Sequence, residues 1–513
     1  MKKIFNLVAT ACIIVGISST AYAKSNYNVS RLYGADRYKT SISISNDFSS
    51  GTVQNVIVAS GKDFPDALSG SVLSKKYNAP ILLLNNTLSE SNETLDYINN
   101  HLNKSGNIYV LGGTGSISDE FINYMKNQGF NNIIRLGGKD RFDTNKFIVN
   151  SMNLQKGTPV VITNGYGFAD ALSVSSVAAG KGYPILMTGA SSLPDETKSI
   201  LSDIQPNEVY VVGGTGVVSD DIINEVKKLV PSLSTDKIVR ISGQTRYDTS
   251  LEICKYFNID TDSAVLASGE NFPDALSGSA LASKLNAPII LTDGQDLTNQ
   301  RVFIDSKNYK NLILLGGVGS IDLPIEYSLK GSDQISTAEK DYINNLSNYC
   351  NDYITEETSA SNTMTELFNS INFNDLGDQA QISNAFEEFA QLFKNGNASL
   401  ETYKQNLIKL KNNVSNLQSP DGLESLKLDY INNINTEIQS LDTVKGYLDN
   451  YVSIFNSMKD AIDSNNLEKL QQELNELQSY NTKYMNDAKQ LPNAEVNIMK
   501  LSNRLTKIKN SMQ

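Results

Sequence analysis

The sequence predicts an α/β chain in which one module is built three times over, followed by an all-helical region. Three observations predict it. Phe64, Asp66, Ala67, Leu68 and Ser69 recur as Phe168, Asp170, Ala171, Leu172 and Ser173, then as Phe272, Asp274, Ala275, Leu276 and Ser277, 104 residues apart each time. Up to about residue 330, short runs rich in Val, Ile and Leu alternate with helix-length segments, the pattern of parallel strands covered on both faces. Beyond it Asn, Gln, Glu, Leu and Tyr dominate, and proline is left only at Pro420 and Pro492.

Within the first module each element has its own signal. Residues 56–59, 81–84 and 108–111 are continuous apolar runs of strand length. Between the first two, Asp63 or a neighbour can cap a helix and Pro65 suits its first turn. Ala67, Leu68, Val72 and Leu73 supply its apolar stripe. Gly112 and Gly113 form a strand-exit turn, repeated at Gly213 and Gly214 and at Gly316 and Gly317. The expected organisation is a signal segment at 1–23, repeats at 24–128, 129–233 and 234–331, and a helical region at 332–513. Lys2 and Lys3, the apolar run that follows and the small-residue site at 21–23 read as a secretory signal. Export is therefore expected. No later run is long enough to span a bilayer, and no Leu-Pro-x-Thr-Gly sorting pattern is present, so an exported chain would be released or held by affinity.

Charge and cysteine usage narrow the function. The net charge of −12 argues against general attraction to polyanions such as nucleic acid, so anion binding requires locally focused cations. Cys254 and Cys350 lie in different segments and suggest no disulfide framework. His101 is the single histidine, without a counterpart in the other repeats, which disfavours a Ser-His-Asp or Cys-His device and any His/Cys metal site. The glycine turn lacks the third glycine of a dinucleotide fingerprint and the ending of a P-loop. No cofactor is expected, and no enzymatic activity.

The arginines are placed. Of eight, six sit in one motif: Arg31, Gly34, Arg37 and Thr40 return as Arg135, Gly138, Arg141 and Thr144, and as Arg240, Gly243, Arg246 and Thr249. These residues, the Asp66, Asp170 and Asp274 segments and the glycine turns follow strands and precede helices, which puts them at the carboxyl edges of the sheets, one rim per repeat. Two readings stay open. The arginines pair with recurring acids and lock loops or modules together, or they present a planar, permanently charged fork to phosphate or carboxylate groups of a ligand.

The arginine motif, the Phe-x-Asp-Ala-Leu-Ser segment, the Ala-Pro-Ile-Leu-Leu strand and the glycine turn, in three ordered copies over about residues 29–325, resemble the cell wall binding repeat 2 family. The resemblance implies three Rossmann-like modules in pseudo-threefold arrangement. It also implies non-covalent anchoring of a surface-layer-associated protein of a Gram-positive bacterium to an anionic cell wall polysaccharide or teichoic-acid-like polymer, with surface-layer proteins as further partners. The family's anchoring Ile-Leu-Leu motif corresponds to Ile81, Leu82 and Leu83, to Ile185, Leu186 and Met187, and to Ile289, Ile290 and Leu291. The last two differ conservatively in volume, and all are expected to be a buried support, with polymer contact coming from the arginines.

In the second half, Leu467, Leu470, Leu474 and Leu477, like Ile431, Ile434, Ile438 and Leu441, follow three-four spacing. With breaks near Gly377, Gly396, Pro420 to Gly422 and Pro492, the expectation is an antiparallel bundle of about five helices, displayed as a spacer or interaction domain. A wall hydrolase or a host-binding adhesin in this region is the alternative.

Overall fold

The computed structural model describes residues 27–370 and 378–512. The signal segment and the break at Gly377 lie outside the described residues. Two compact units divide the chain, Ala23–Gln334 and Ile335–Gln513.

In the first unit, repeat 1 gives β1 (Asn28–Leu32), α1 (Arg37–Phe48), β2 (Val53–Ser60), α2 (Gly70–Tyr77), β3 (Ile81–Leu84), α3 (Asn92–His101), β4 (Leu102–Leu111) and α4 (Asp119–Asn127). Repeat 2 follows as β5 (Asn132–Leu136), α5 (Arg141–Ser151), β6 (Val160–Asn164), α6 (Ala169–Lys181), β7 (Ile185–Thr188), α7 (Asp195–Ile204), β8 (Val209–Val212) and α8 (Asp220–Leu229). Repeat 3 is β9 (Ile238–Ile241), α9 (Arg246–Phe257), β10 (Ser263–Ser268), α10 (Pro273–Leu285), β11 (Ile289–Thr292), α11 (Thr298–Asp305), β12 (Asn311–Leu315) and α12 (Leu323–Leu329).

The strands form three parallel sheets of four, ordered β3-β2-β4-β5, β7-β6-β8-β9 and β11-β10-β12-β1. The first strand of each repeat therefore completes the sheet of the preceding one, and β1 closes the ring by pairing with β12, from Asn28 opposite Asn311 to Leu32 opposite Leu315. Sequence boundaries drawn before each arginine motif cut through these sheets.

Period-two alternation sends the two faces of each sheet to different cores. Ile57, Ala59, Ile81, Leu83 and Leu111 point into one central core shared with Val161, Ile185, Met187, Val265, Ile289 and Leu291 of the other repeats. Val56, Val58, Leu82 and Ile108 face an outer core that belongs to the first sheet alone, and the other two sheets have their own. Helices α2, α6 and α10 pack against one another inside the central core. Their Ala, Ser and Gly residues permit that close approach.

β3, β7 and β11 are sheet edges, and side chains seal them. The N–H of Leu83 donates to Ser41 Oγ (3.2 Å), that of Met187 to Asn145 Oδ1 (3.2 Å) and that of Leu291 to Ser250 Oγ (3.1 Å). The carbonyls of the same three residues accept from Thr94, Thr197 and Gln300. An edge whose amides and carbonyls are so occupied offers no template for another strand.

The second unit is the bundle of α13 (Thr337–Asn369), α14 (Gln379–Ser415), α15 (Glu424–Asp463), α16 (Leu467–Ala488) and α17 (Ala494–Ser511). Lys404 meets Asp442 while Asn397 meets Asp449, so α14 and α15 run antiparallel. Ile434 and Leu441 are buried, whereas Ile431 and Ile438 are half-buried. Two expectations are corrected. Gly396 lies inside α14, where a Cβ would stand 3.3 Å from Met364 Cε, so it serves close helix approach and not a break. The leucine stripe of α16 is not packed core: Leu467 is 75% exposed and Leu474 41%, because α16 docks on α15 through Glu473, Tyr480, Asn481 and Asp487. A chain reversal not foreseen at α15–α16 uses Asn465 at φ +55°.

Candidate functional site

The strand exchange gathers the recurring polar residues. Phe64, Phe168 and Phe272 precede the three central helices, and their rings meet with centroids 5.7, 5.7 and 6.1 Å apart. The aromatic trio marks the pseudo-threefold axis. The expectation of one separate rim per repeat gives way to a shared face around that axis, because Arg37 and Arg246 each reach a phenylalanine of another repeat, while Arg141 stays within its own.

Asp36, Asp140 and Thr245 cap helices α1, α5 and α9, accepting from Lys39, from Phe142 and Asp143, and from Asp248 backbone N–H groups respectively. Arg37, Arg141 and Arg246 are the first helical residues. Each donates one guanidinium bond to the carbonyl of a glycine following a strand: Gly61 (2.7 Å), Gly165 (2.8 Å) and Gly269. The next residue, Tyr38, Phe142 or Tyr247, lays its ring on that glycine so closely that a Cβ there would stand 2.4, 3.0 or 2.7 Å from it. Thr40, Thr144 and Thr249 accept the N–H of Gly34, Gly138 and Gly243, which completes the motif.

Arg37 and Arg246 approach the axis across repeats. The Arg37 guanidinium lies 5.7 Å from the ring of Phe272, and that of Arg246 5.6 Å from Phe168. Behind them stand the aspartates. Burial lifts the carboxyls of Asp170 and Asp274 above their ordinary range. Arg246 opposes the first rise, and Ser320 and then Arg37 oppose the second. Asp170 and Asp274 thus feel the charge of an arginine from another repeat without, among the described residues, forming an ion pair with it. Arg141 instead stacks on Tyr166, 4.8 Å from the ring centroid.

Arg31, Arg135 and Arg240 do different work. They end β1, β5 and β9, and each clamps the glycine turn of the neighbouring strand: Arg31 to Gly316 O (2.8 Å), Arg135 to Gly112 O (2.9 Å), Arg240 to Gly213 O (2.7 Å). Asp119 and Asp220 take a second donor from Arg135 and Arg240, and Glu326 takes one from Arg31 at 2.7 Å. Their guanidinium groups are consumed as staples between repeats.

The turns they clamp are filled. Gly112, Gly213 and Gly316 have φ of +109°, +117° and +92°, and a Cβ on them would lie within 2.7 Å of the carboxylates of Asp66, Asp170 and Asp274. A carboxylate against the turn, with Ser116 Oγ donating to Asp66 (2.5 Å) and Ser320 Oγ to Asp274 (2.8 Å), occupies the place a phosphate would need. The nine anchoring-motif residues are at most 1% exposed, so they support the face from beneath. His101 stacks on Tyr97 away from these groups. Sequence reasoning missed Ser41, Asn145 and Ser250, although each directly follows the motif threonine.

Three fused α/β modules, each with one sheet edge capped by side chains and presenting arginines near aromatic rings, have the build of a binding module. The chain belongs to the cell wall binding domain 2 (CWB2) family, which it matches at residues 31–122, 135–223 and 240–326. It is 32% identical over 324 residues to N-acetylmuramoyl-L-alanine amidase LytC of Bacillus subtilis strain 168, covering 63% of this chain and 62% of that one. It is also 32% identical over 335 residues to the amidase enhancer of the same organism, covering 64% and 44%. The chain thus spans less than two thirds of either relative. Among solved structures it resembles Cwp6 from Clostridium difficile, with TM-score 0.52, 26% identity, and 60% of this chain and 48% of that one covered. Cwp8 from the same organism aligns with TM-score 0.50 and 27% identity, over 56% and 49%. No helix among the described residues is long and apolar enough to cross a membrane.

Proposed function

We propose that the three repeats hold this chain at the cell wall by binding an anionic polysaccharide or teichoic-acid-like polymer without a covalent bond, and that residues 335–512 are the helical domain displayed there. The observation that carries the reading is the placement of Arg37, Arg141 and Arg246. A cation on the first residue of a helix opposes the macrodipole at a cost of about 0.3–1 kcal/mol, yet all three repeats put one there. Each spends one bond on a carbonyl and, among the described residues, has no carboxylate within 4 Å. The remaining donors of three forks are left for phosphate or carboxylate groups.

The reading is non-enzymatic. The one carboxylate lining a cavity of 270 Å³ in the helical unit is Asp378, beside Ile382 and Leu467. Glu357, Glu437 and Glu495 converge instead within the bundle. Arg37→Gln, Arg141→Gln and Arg246→Gln combined should abolish co-sedimentation with isolated walls while the melting temperature holds. Rising salt should weaken the parent's binding. Equal binding to walls stripped of anionic polymer would defeat the proposal, and release of soluble muropeptides by the chain would restore the hydrolase.

A further inference from the structure

The three rims share one turn and differ in what it presents. Lys62, Tyr166 and Glu270 occupy equivalent positions, directly after the glycine whose carbonyl holds the motif arginine. In each, a side-chain oxygen two residues back accepts the backbone N–H: Ser60 for Lys62 (3.2 Å), Asn164 for Tyr166 (2.7 Å) and Ser268 for Glu270 (3.2 Å). Repeat 2 is held more firmly, since Asn164 Nδ2 also donates to Val217 O (2.6 Å) and ties two loops together.

Charge separates the rims further. In repeat 3, Glu270 brings a carboxylate to the loop beside Arg246 and accepts from the Tyr247 hydroxyl. In repeat 1, Asp63 follows Lys62. The repeat 2 loop, residues 164–168, carries no acid, and Tyr166 is 64% exposed with the Arg141 guanidinium over its ring. A fixed aromatic face next to a permanent cation suits a ring with an apolar face and an attached anion.

Building on the wall-polymer reading, we propose that the three rims are unequal and that repeat 2 is the saccharide subsite. The Tyr166 face packs on a sugar ring while Arg141 takes the neighbouring phosphate. Repeat 1 adds charge through Arg37 and Lys62, and the Arg246 rim contributes least to anion binding because Glu270 opposes it.

The test uses the full chain and isolated walls. Tyr166→Ala should weaken wall binding roughly tenfold, the scale of truncating one aromatic contact, without changing the slope against salt. Tyr166→Phe should bind as the parent, and Glu270→Gln should bind at least as well. Hexose 1-phosphate should displace the parent from walls at lower concentration than inorganic phosphate does, and the two should be equal against Tyr166→Ala. If Tyr166→Ala binds like the parent while the triple arginine variant does not, the subsite is wrong and the wall-polymer reading stands. If the triple variant also binds like the parent, it is the wall-polymer reading that fails. Equal competition by the two phosphates on the parent overturns the sugar contact whatever the variants do.

Discussion

Arginine appears in this chain in two roles separated by six residues, and local geometry decides which. At the end of a strand, Arg240 is enclosed by the turn it clamps, and its donors go to Gly213 O and Asp220. At the start of a helix, Arg246 reaches over a glycine toward the axis with donors to spare. Arg240→Gln should therefore destabilise the first unit by about 1–3 kcal/mol in urea melts and leave wall binding per folded molecule unchanged. Gly213→Ala should cost on a similar scale, about 1–3 kcal/mol, because it forces a side chain into positive φ against Asp170. The sequence made all six arginines visible but did not sort them. Sorting requires knowing that β5, β9 and β1 belong to the neighbouring sheet, which is a long-range fact.

Elements show where local patterning suffices. The apolar runs of the strands were legible, since each rests on contacts within a few residues, but the expected cap before α2 is corrected: among the described residues Asp63 accepts only the Phe64 N–H, Pro65 opens a short 3-10 turn, and α2 starts at Gly70 without a side-chain cap. The α16 stripe misled, because its spacing is that of a packed helix while its packing face is polar and aromatic. In the bundle, burial first and then Glu495 and Glu437 push the Glu357 carboxyl up to about 8. The folded state therefore binds a proton that the unfolded chain releases between the ordinary glutamate value of 4.5 and about 8, and stability falls as pH rises through that window. Glu357→Gln should melt above the parent at pH 8, with the gap closing toward pH 5, in calorimetric scans of the full chain. A gap that widens toward low pH would contradict the assignment.

At the scale of the first unit, the three repeats form a closed cycle, because each sheet takes its fourth strand from another repeat. Its closure is the buried cluster in which Glu326 meets Arg31 at 2.7 Å and Lys330 at 2.8 Å. Burial raises the Glu326 carboxyl, yet Arg31 and Lys330 more than offset it and hold it below the ordinary range. Glu326→Ala would leave the buried Arg31 guanidinium without its carboxylate, for an expected loss of about 3–5 kcal/mol in urea melts of the first unit. Removing one whole repeat should cost far more than a third of wall retention in co-sedimentation. It deletes a rim, strips one side of the central core, and asks the remaining sheets to pair across a changed junction.

The sequence by itself determined the triplicate build, the α/β class, the identity of the recurring polar residues, the buried role of the Ile-Leu-Leu strands and the helical second half. Each is fixed by periodicity or by a repeat read along the chain. Tertiary structure alone decided that first strands are exchanged, that Arg37 lies beside Phe272 and the charge of Asp274, and that three rims merge around one axis. It also decided which arginines are consumed as staples. These depend on contacts between elements, from 23 positions apart for Arg135 and Gly112 to 285 for Arg31 and Gly316, and no local propensity carries that information.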